Sequence, residues 1–89
     1  MSGQYCVQTA IVSLVNFDRT RRELGKGIRA WRKGHHLTQE ELADAADVHV
    51  NTLGRVERGR ANPTLKLLWK IATKLQVNVV QLHRGPAPE

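Results

Sequence analysis

The chain has 89 residues, room for one domain with a modest core, and its 14 Lys and Arg against 8 Asp and Glu leave a net charge of +6. So strong a basic balance on so short a chain favours a polyanionic partner, whether nucleic acid, an anionic membrane surface or an acidic protein. Only 4 % of the residues are aromatic, too few for a platform on which unpaired bases stack, which argues against single-strand or RNA recognition of that kind.

A single cysteine, Cys6, rules out an internal disulfide and suits a reducing cytosol, where it reads as inert. No apolar run is long enough to span a bilayer. The start lacks the basic, apolar and small-residue pattern of a secretory signal. The expectation is a cytoplasmic, nucleoid-associated protein with no membrane partner.

Residues 1–17 carry no Lys, Arg, Asp or Glu, and Val7, Ile11, Val12, Leu14 and Val15 make them apolar and β-branched. This N-terminal extension reads either as a strand or as a frayed, disordered segment. The domain proper is expected over residues 18–83. A first helix starts near Asp18 or Thr20, either of which can cap. Leu24, Ile28, Trp31 and His35 recur at helical spacing and mark its buried face. Arg22, Lys26, Arg29 and Lys33 fall largely elsewhere and read as a solvated face. Gly25 and Gly27 weaken this helix by roughly 1 kcal/mol each relative to Ala.

Gly34-His35-His36 breaks the pattern. Thr38 and Glu41, three apart, then form a capping box that opens a second helix. It turns Leu42, Ala43 and Ala46 inward and ends near Asp47. A third helix, from about His49 to Arg58, packs through Leu53 and Val56 and is stopped by Gly59. After Asn62-Pro63-Thr64, a fourth helix sets Leu65, Leu68, Ala72 and Leu75 on one face, with Trp69 partly buried beside them. Asn78 caps a short fifth helix containing Val79 and Leu82. Residues 84–89 read as a disordered tail.

Two short helices joined by a tight turn make a helix-turn-helix. The slots demand an apolar residue facing the core (Leu42), a small one where the helices cross (Ala43), and Val48, Leu53 and Val56 to hold the second helix down. The fold class is therefore all-α with a central helix-turn-helix. Four histidines raise the question of a metal, but His35-His36 point to different sides and no ligand spacing accompanies them, so neither metal nor cofactor is expected. No nucleophile–base pair, paired carboxylates or phosphate-binding glycine loop points to an enzyme.

The stretch Leu37-Thr38-Gln39-Glu40-Glu41-Leu42-Ala43, followed by Val48 and by Val56-Glu57-Arg58-Gly59, resembles the Cro and lambda-repressor-like helix-turn-helix family, of the xenobiotic-response-element type. Pro63-Thr64, Leu68, Ile71-Ala72, Leu75 and Val77 continue the likeness, which covers residues 22–83. The resemblance implies a five-helix DNA-binding domain that acts as a symmetric homodimer on a palindromic operator in double-stranded DNA. Its recognition helix lies in the major groove with its first residues at base edges. Mapped onto this chain, the base-reading positions are Val50, Asn51 and Arg55, with His49 and Thr52 at the margin. Asn pairs with adenine and Arg with guanine, while Val50 can only touch a thymine methyl. Gln39 and Arg58 match phosphate contacts, and Arg60 and Lys66 join them on charge and proximity. The family also implies an internal ion pair, here Arg32 with Glu57. Val79, Val80 and Leu82, on the last helix, are the expected dimer contacts.

The sequence departs from the pattern in four places. Asp47, His36 and Gln76 stand where glycine is usual, and Val50 stands where a polar residue braces Gln39. Two functions follow. The first is a sequence-specific transcriptional regulator, a repressor or autoregulator of the phage, restriction–modification controller or antitoxin kind; the run Val56–Asn62 is somewhat like the controllers. The second is a protein-binding adaptor or antitoxin-like partner protein that keeps the fold without base readout. A steep fall of DNA affinity with salt, together with preference for one sequence, separates them.

Overall fold

The computed structural model describes residues 16–87. The expected strand or frayed segment at the N-terminus, with Cys6, lies almost wholly outside them. The described residues are all-helical: α1 (Phe17–Gly34), α2 (Gln39–Ala46), α3 (Val50–Glu57), α4 (Leu65–Lys74) and α5 (Val79–Arg84). None of these helices is long and apolar enough to cross a membrane.

The first helix begins earlier than its charged residues suggest. Asn16, not Asp18 or Thr20, is the cap: it is extended, and its side chain accepts the N–H of Arg19 at 3.0 Å. Asp18 sits instead inside the first turn, where it pairs with Arg21. The capping box at α2 is as the sequence indicates, with Thr38 Oγ1 accepting from Glu41 N at 3.1 Å and Glu41 Oε1 from Thr38 N at 2.9 Å. Hydrogen bonding from Thr38 to the carboxylate, its backbone N–H first and then its side chain, holds the exposed Glu41 carboxyl below its ordinary range. Thr64 caps α4 through Leu67 N–H, and Asn78 with Gln81 forms a second capping box on α5. Arg84 closes α5, and Gly85 N–H bonds back to Gln81 at 2.9 Å, so the helix reaches into the segment expected to be tail.

The core gathers Leu24, Ile28, Leu42, Ala43, Ala46, Leu53, Val56, Ile71, Ala72, Leu75 and Leu82 from every helix. The long α1 packs chiefly on α5 and α3, and α4 packs on α2. Trp31 Nε1 donates to the Gln81 carbonyl at 2.8 Å and pins α1 to α5. Gly25 and Gly27 have a use that helix propensity does not show. A Cβ on Gly25 would stand 2.5 Å from the carbonyl oxygens of Val56 and Glu57, and one on Gly27 would stand 2.3 Å from that of Leu82. Only bare backbone lets α1 lie this close to α3 and α5.

Three expected core positions are corrected. His35 is the exposed C-cap of α1, beyond the last residue that a neighbour covers. Leu65 and Trp69 are 73 % and 59 % exposed, because the inward face of α4 is made by Ile71, Ala72 and Leu75 and these two lie on its open flank.

Four helices end on one pattern. After α1, α2, α3 and α4 a residue with positive φ donates three residues back, and the next donates five back. The left-handed residues are His36, Asp47, Gly59 and Gln76. This is the Schellman closure, which favours glycine because a Cβ crowds the left-handed region. Only Gly59 meets that preference. The turn nonetheless forms at Asp47 (φ 56°), with Val48 N–H bonded to Ala43 O at 2.9 Å.

Candidate nucleic-acid interface

The two helices of the motif, α2 and α3, are separated only by Asp47-Val48-His49. Leu53, Gly54, Val56 and Glu57 are the buried residues of α3. Its opposite side presents Asn51, Thr52 and Arg55 to solvent, with Arg58 just past its end. These positions share a face because residues three and four apart are neighbours on a helix. His49 is the N-cap but makes no side-chain capping bond, so the first N–H groups of α3 lack that partner. The acids Glu40 and Asp44 line a shallow depression there with Val48, His49 and Val50. Negative charge in that place suits the positive end of a helix.

Gln39 is the first residue of α2, where backbone N–H groups have no acceptor within the helix and favour an anion. Its side chain lies against α3. A Cβ built on Gly54 would be 3.6 Å from Gln39 Oε1 and 3.2 Å from Arg58 Nη1, so both side-chain ends converge on one point of the helix. The absence of a polar brace at residue 50 does not leave Gln39 loose. Its Nε2 donates to Glu57 Oε1 at 3.1 Å, and the half-buried Val50 lines a depression beside it.

Glu57 in turn is held by Arg32 through two bonds, Nε to Oε2 at 2.8 Å and Nη2 to Oε1 at 3.0 Å. Arg32 Nη1 donates to the Leu37 carbonyl at 2.8 Å, at the entry to α2. The pair lies inside the protein, with side-chain exposures of 10 % and 2 %. Such a pair adds little stability over apolar packing, yet removing one partner is costly. Here it ties α1, the α1–α2 turn, α2 and α3 to one guanidinium–carboxylate fork.

Arg55 reaches back toward the loop after α3, its Nη2 3.4 Å from the Arg60 carbonyl, a contact at the long limit for a hydrogen bond. Arg60 is exposed on that loop. Lys66 is exposed on the first turn of α4, and no hydrogen bond or ion pair links it to α3 among the described residues. Of the three residues expected at a dimer contact, Leu82 is corrected: it is wholly buried in the chain's own core and has no surface to offer a second copy. Val79 is half-buried and Val80 is 66 % exposed, beside a groove between α1 and α5.

Comparison with known proteins agrees with this geometry. A family model described as helix-turn-helix matches residues 28–82. The control protein C.SmaI of Serratia marcescens is 36 % identical over 59 residues, covering 66 % of this chain and 70 % of that protein. Among solved structures, the restriction–modification controller protein C.AhdI from Aeromonas hydrophila superposes with a TM-score of 0.68 at 32 % identity, over 70 % of this chain and 94 % of the other. The clp gene regulator ClgR from Corynebacterium glutamicum gives the same score and identity over 71 % and 67 %.

Proposed function

Because the chain belongs to the helix-turn-helix family of Cro and lambda-repressor type, whose members are DNA-binding transcriptional regulators, we propose that it represses transcription as a homodimer on a palindromic operator, with α3 in the major groove. The observation that carries this reading is the row Asn51, Thr52 and Arg55, exposed on a helix whose other face is locked into the core. Asn51 and Arg55 supply the bidentate geometry that adenine and guanine edges require, and Val50 offers a methyl contact to thymine. Gln39 and Arg58, converging beside Gly54, take phosphates on the rim, with Arg60 and Lys66 further out. These contacts set register and affinity, and the α3 face sets sequence. Val79 and Val80 supply the contact between copies, and half-sites then lie roughly 34–36 Å apart. Similarity to a restriction–modification controller over nearly its whole length supports a controller-type regulator.

A second reading, a protein-binding adaptor on the same scaffold, rests on Leu65 and Trp69, two large apolar residues exposed four apart on α4. The discriminating experiment is fluorescence anisotropy on the duplex upstream of the protein's own gene and on a scrambled duplex, across a salt series. The regulator reading expects tighter binding to the native duplex by about 10³-fold or more, falling steeply with salt. No binding to either duplex at moderate salt overturns it in favour of the adaptor.

A further inference from the structure

The first turns of α1 lie before residue 28, where the family match begins. They are nevertheless built into the loop that follows the recognition helix. Arg21 Nη1 donates to Asn62 Oδ1 at 3.2 Å across 41 residues of sequence. Arg21 is itself held on two sides: Nη2 bonds the Asp18 carboxylate, and the guanidinium lies over the Phe17 ring, 5.0 Å from its centroid. A planar fork held by a carboxylate, an aromatic face and an amide has lost most of its rotamer freedom before any ligand arrives. At the very next residue, the α1 backbone abuts Gly59: a Cβ there would stand 3.0 Å from Arg22 Cα and 2.9 Å from its Cγ. The loop is therefore gripped at Gly59 and again at Asn62. Arg60 lies between the two grips.

The geometry points to Arg21 as a positioning residue for DNA binding, one that fixes the α3–α4 loop through Asn62 so that Arg60 meets its phosphate already ordered. The inference rests on the regulator reading above. Arg21 is not placed as a phosphate contact, since its charge is matched by Asp18. It lowers the entropic cost of seating Arg60, because ordering a loop on binding subtracts from affinity. A phosphate contact reports no sequence, so loss of the brace weakens every duplex alike.

The test is a double-mutant cycle read by DNA affinity at a temperature where circular dichroism shows each variant folded. Asn62→Ala and Arg21→Lys should each weaken specific and scrambled duplexes by the same factor, about threefold to tenfold, and the double variant should be no worse than either single one. The number of counterions released should stay at its wild-type value for Asn62→Ala and fall by about one for Arg60→Ala. In the Arg60→Ala background, Asn62→Ala should have no further effect, which a merely structural role would not produce. Wild-type affinity in Asn62→Ala, or losses that simply add with those of Arg60→Ala, overturn the inference and leave the regulator reading standing. A wild-type protein that binds no duplex overturns both.

Discussion

Gln39 and Glu57, eighteen positions apart, are joined by a 3.1 Å hydrogen bond from amide to carboxylate. The bond links the start of α2 to the buried ion pair that anchors the end of α3. Glu57 thus has two tasks: it neutralises Arg32 inside the protein and it aims a polar side chain at the rim of the proposed interface. An acid in a basic helix end, which would repel DNA if it were free, is turned inward and consumed by these bonds.

Removing that acid should therefore cost both stability and binding. Glu57→Ala leaves the Arg32 guanidinium buried with only the Leu37 carbonyl as partner. The expected loss is about 3–5 kcal/mol, a large part of the roughly 5–15 kcal/mol typical of a domain. Urea denaturation should show the midpoint falling accordingly. Gln39→Ala, in contrast, should leave the midpoint nearly unchanged while weakening DNA, and a large loss of stability in that variant would contradict the division of roles.

Arg55 and Arg58 should separate base reading from phosphate binding. Arg55→Ala is expected to cost about 1–3 kcal/mol on the preferred site and to relax specificity at one base pair. The long contact to the Arg60 carbonyl is weak enough to be given up for a base edge. Arg58→Ala should weaken all sequences alike and reduce the salt slope by about 1. Equal losses on specific and scrambled DNA for Arg55→Ala would remove it from the reading face.

How much of this was legible in the sequence depended on how local the physics was. The box at Thr38 and Glu41 needs only two residues three apart, and both bonds are present. The core stripes of α2 and α3 show in the spacing of Leu42, Ala43, Ala46, Leu53 and Val56 for the same reason. Which flank of a helix a neighbour covers is not local, so helical spacing puts Leu65, Trp69 and His35 on a face that the packing leaves open. Leu82, an expected dimer contact, is instead closed over by α1. At the candidate site, it is the family resemblance that implies Asn51 and Arg55 as base-reading positions, and nothing in the residue spacing shows that Glu57 braces Gln39, because that bond exists only after α2 and α3 have crossed.

The glycines of α1 give a prediction in which local and tertiary reasoning differ in sign. Helix propensity alone says that Gly25→Ala and Gly27→Ala each stabilise by about 1 kcal/mol. The packing says the opposite, since the new methyl would meet backbone carbonyl oxygens at 2.5 and 2.3 Å, and backbone cannot rotate away as a side chain can. Both substitutions should destabilise by about 1–3 kcal/mol or more, as overpacking does. Gly34, with nothing within 4 Å of its Cβ position, is the internal control. Gly34→Ala should be neutral or mildly stabilising in the same thermal melts.

The helix ends carry the remaining prediction. His36 and Gln76 hold φ of 58° and 62°, where an ordinary side chain is strained, and both are exposed. His36→Gly and Gln76→Gly relieve a left-handed cost of about 1–2 kcal/mol. The greater freedom that glycine gives the unfolded chain offsets part of it. Each should gain a net fraction of a kcal/mol to about 1 kcal/mol, seen as a higher urea midpoint with an unchanged slope. His36→Gly and Asp47→Gly should gain less than Gln76→Gly, because His and Asp both tolerate this region better than Gln. Gly59→Ala should lose stability, since it adds the strain and also drives a methyl to within 3.0 Å of Arg22 Cα. The order Gln76 above His36 and Asp47, with Gly59 negative, follows from one closure repeated four times. A gain at Gly59 would show that these turns are not held in the left-handed conformation.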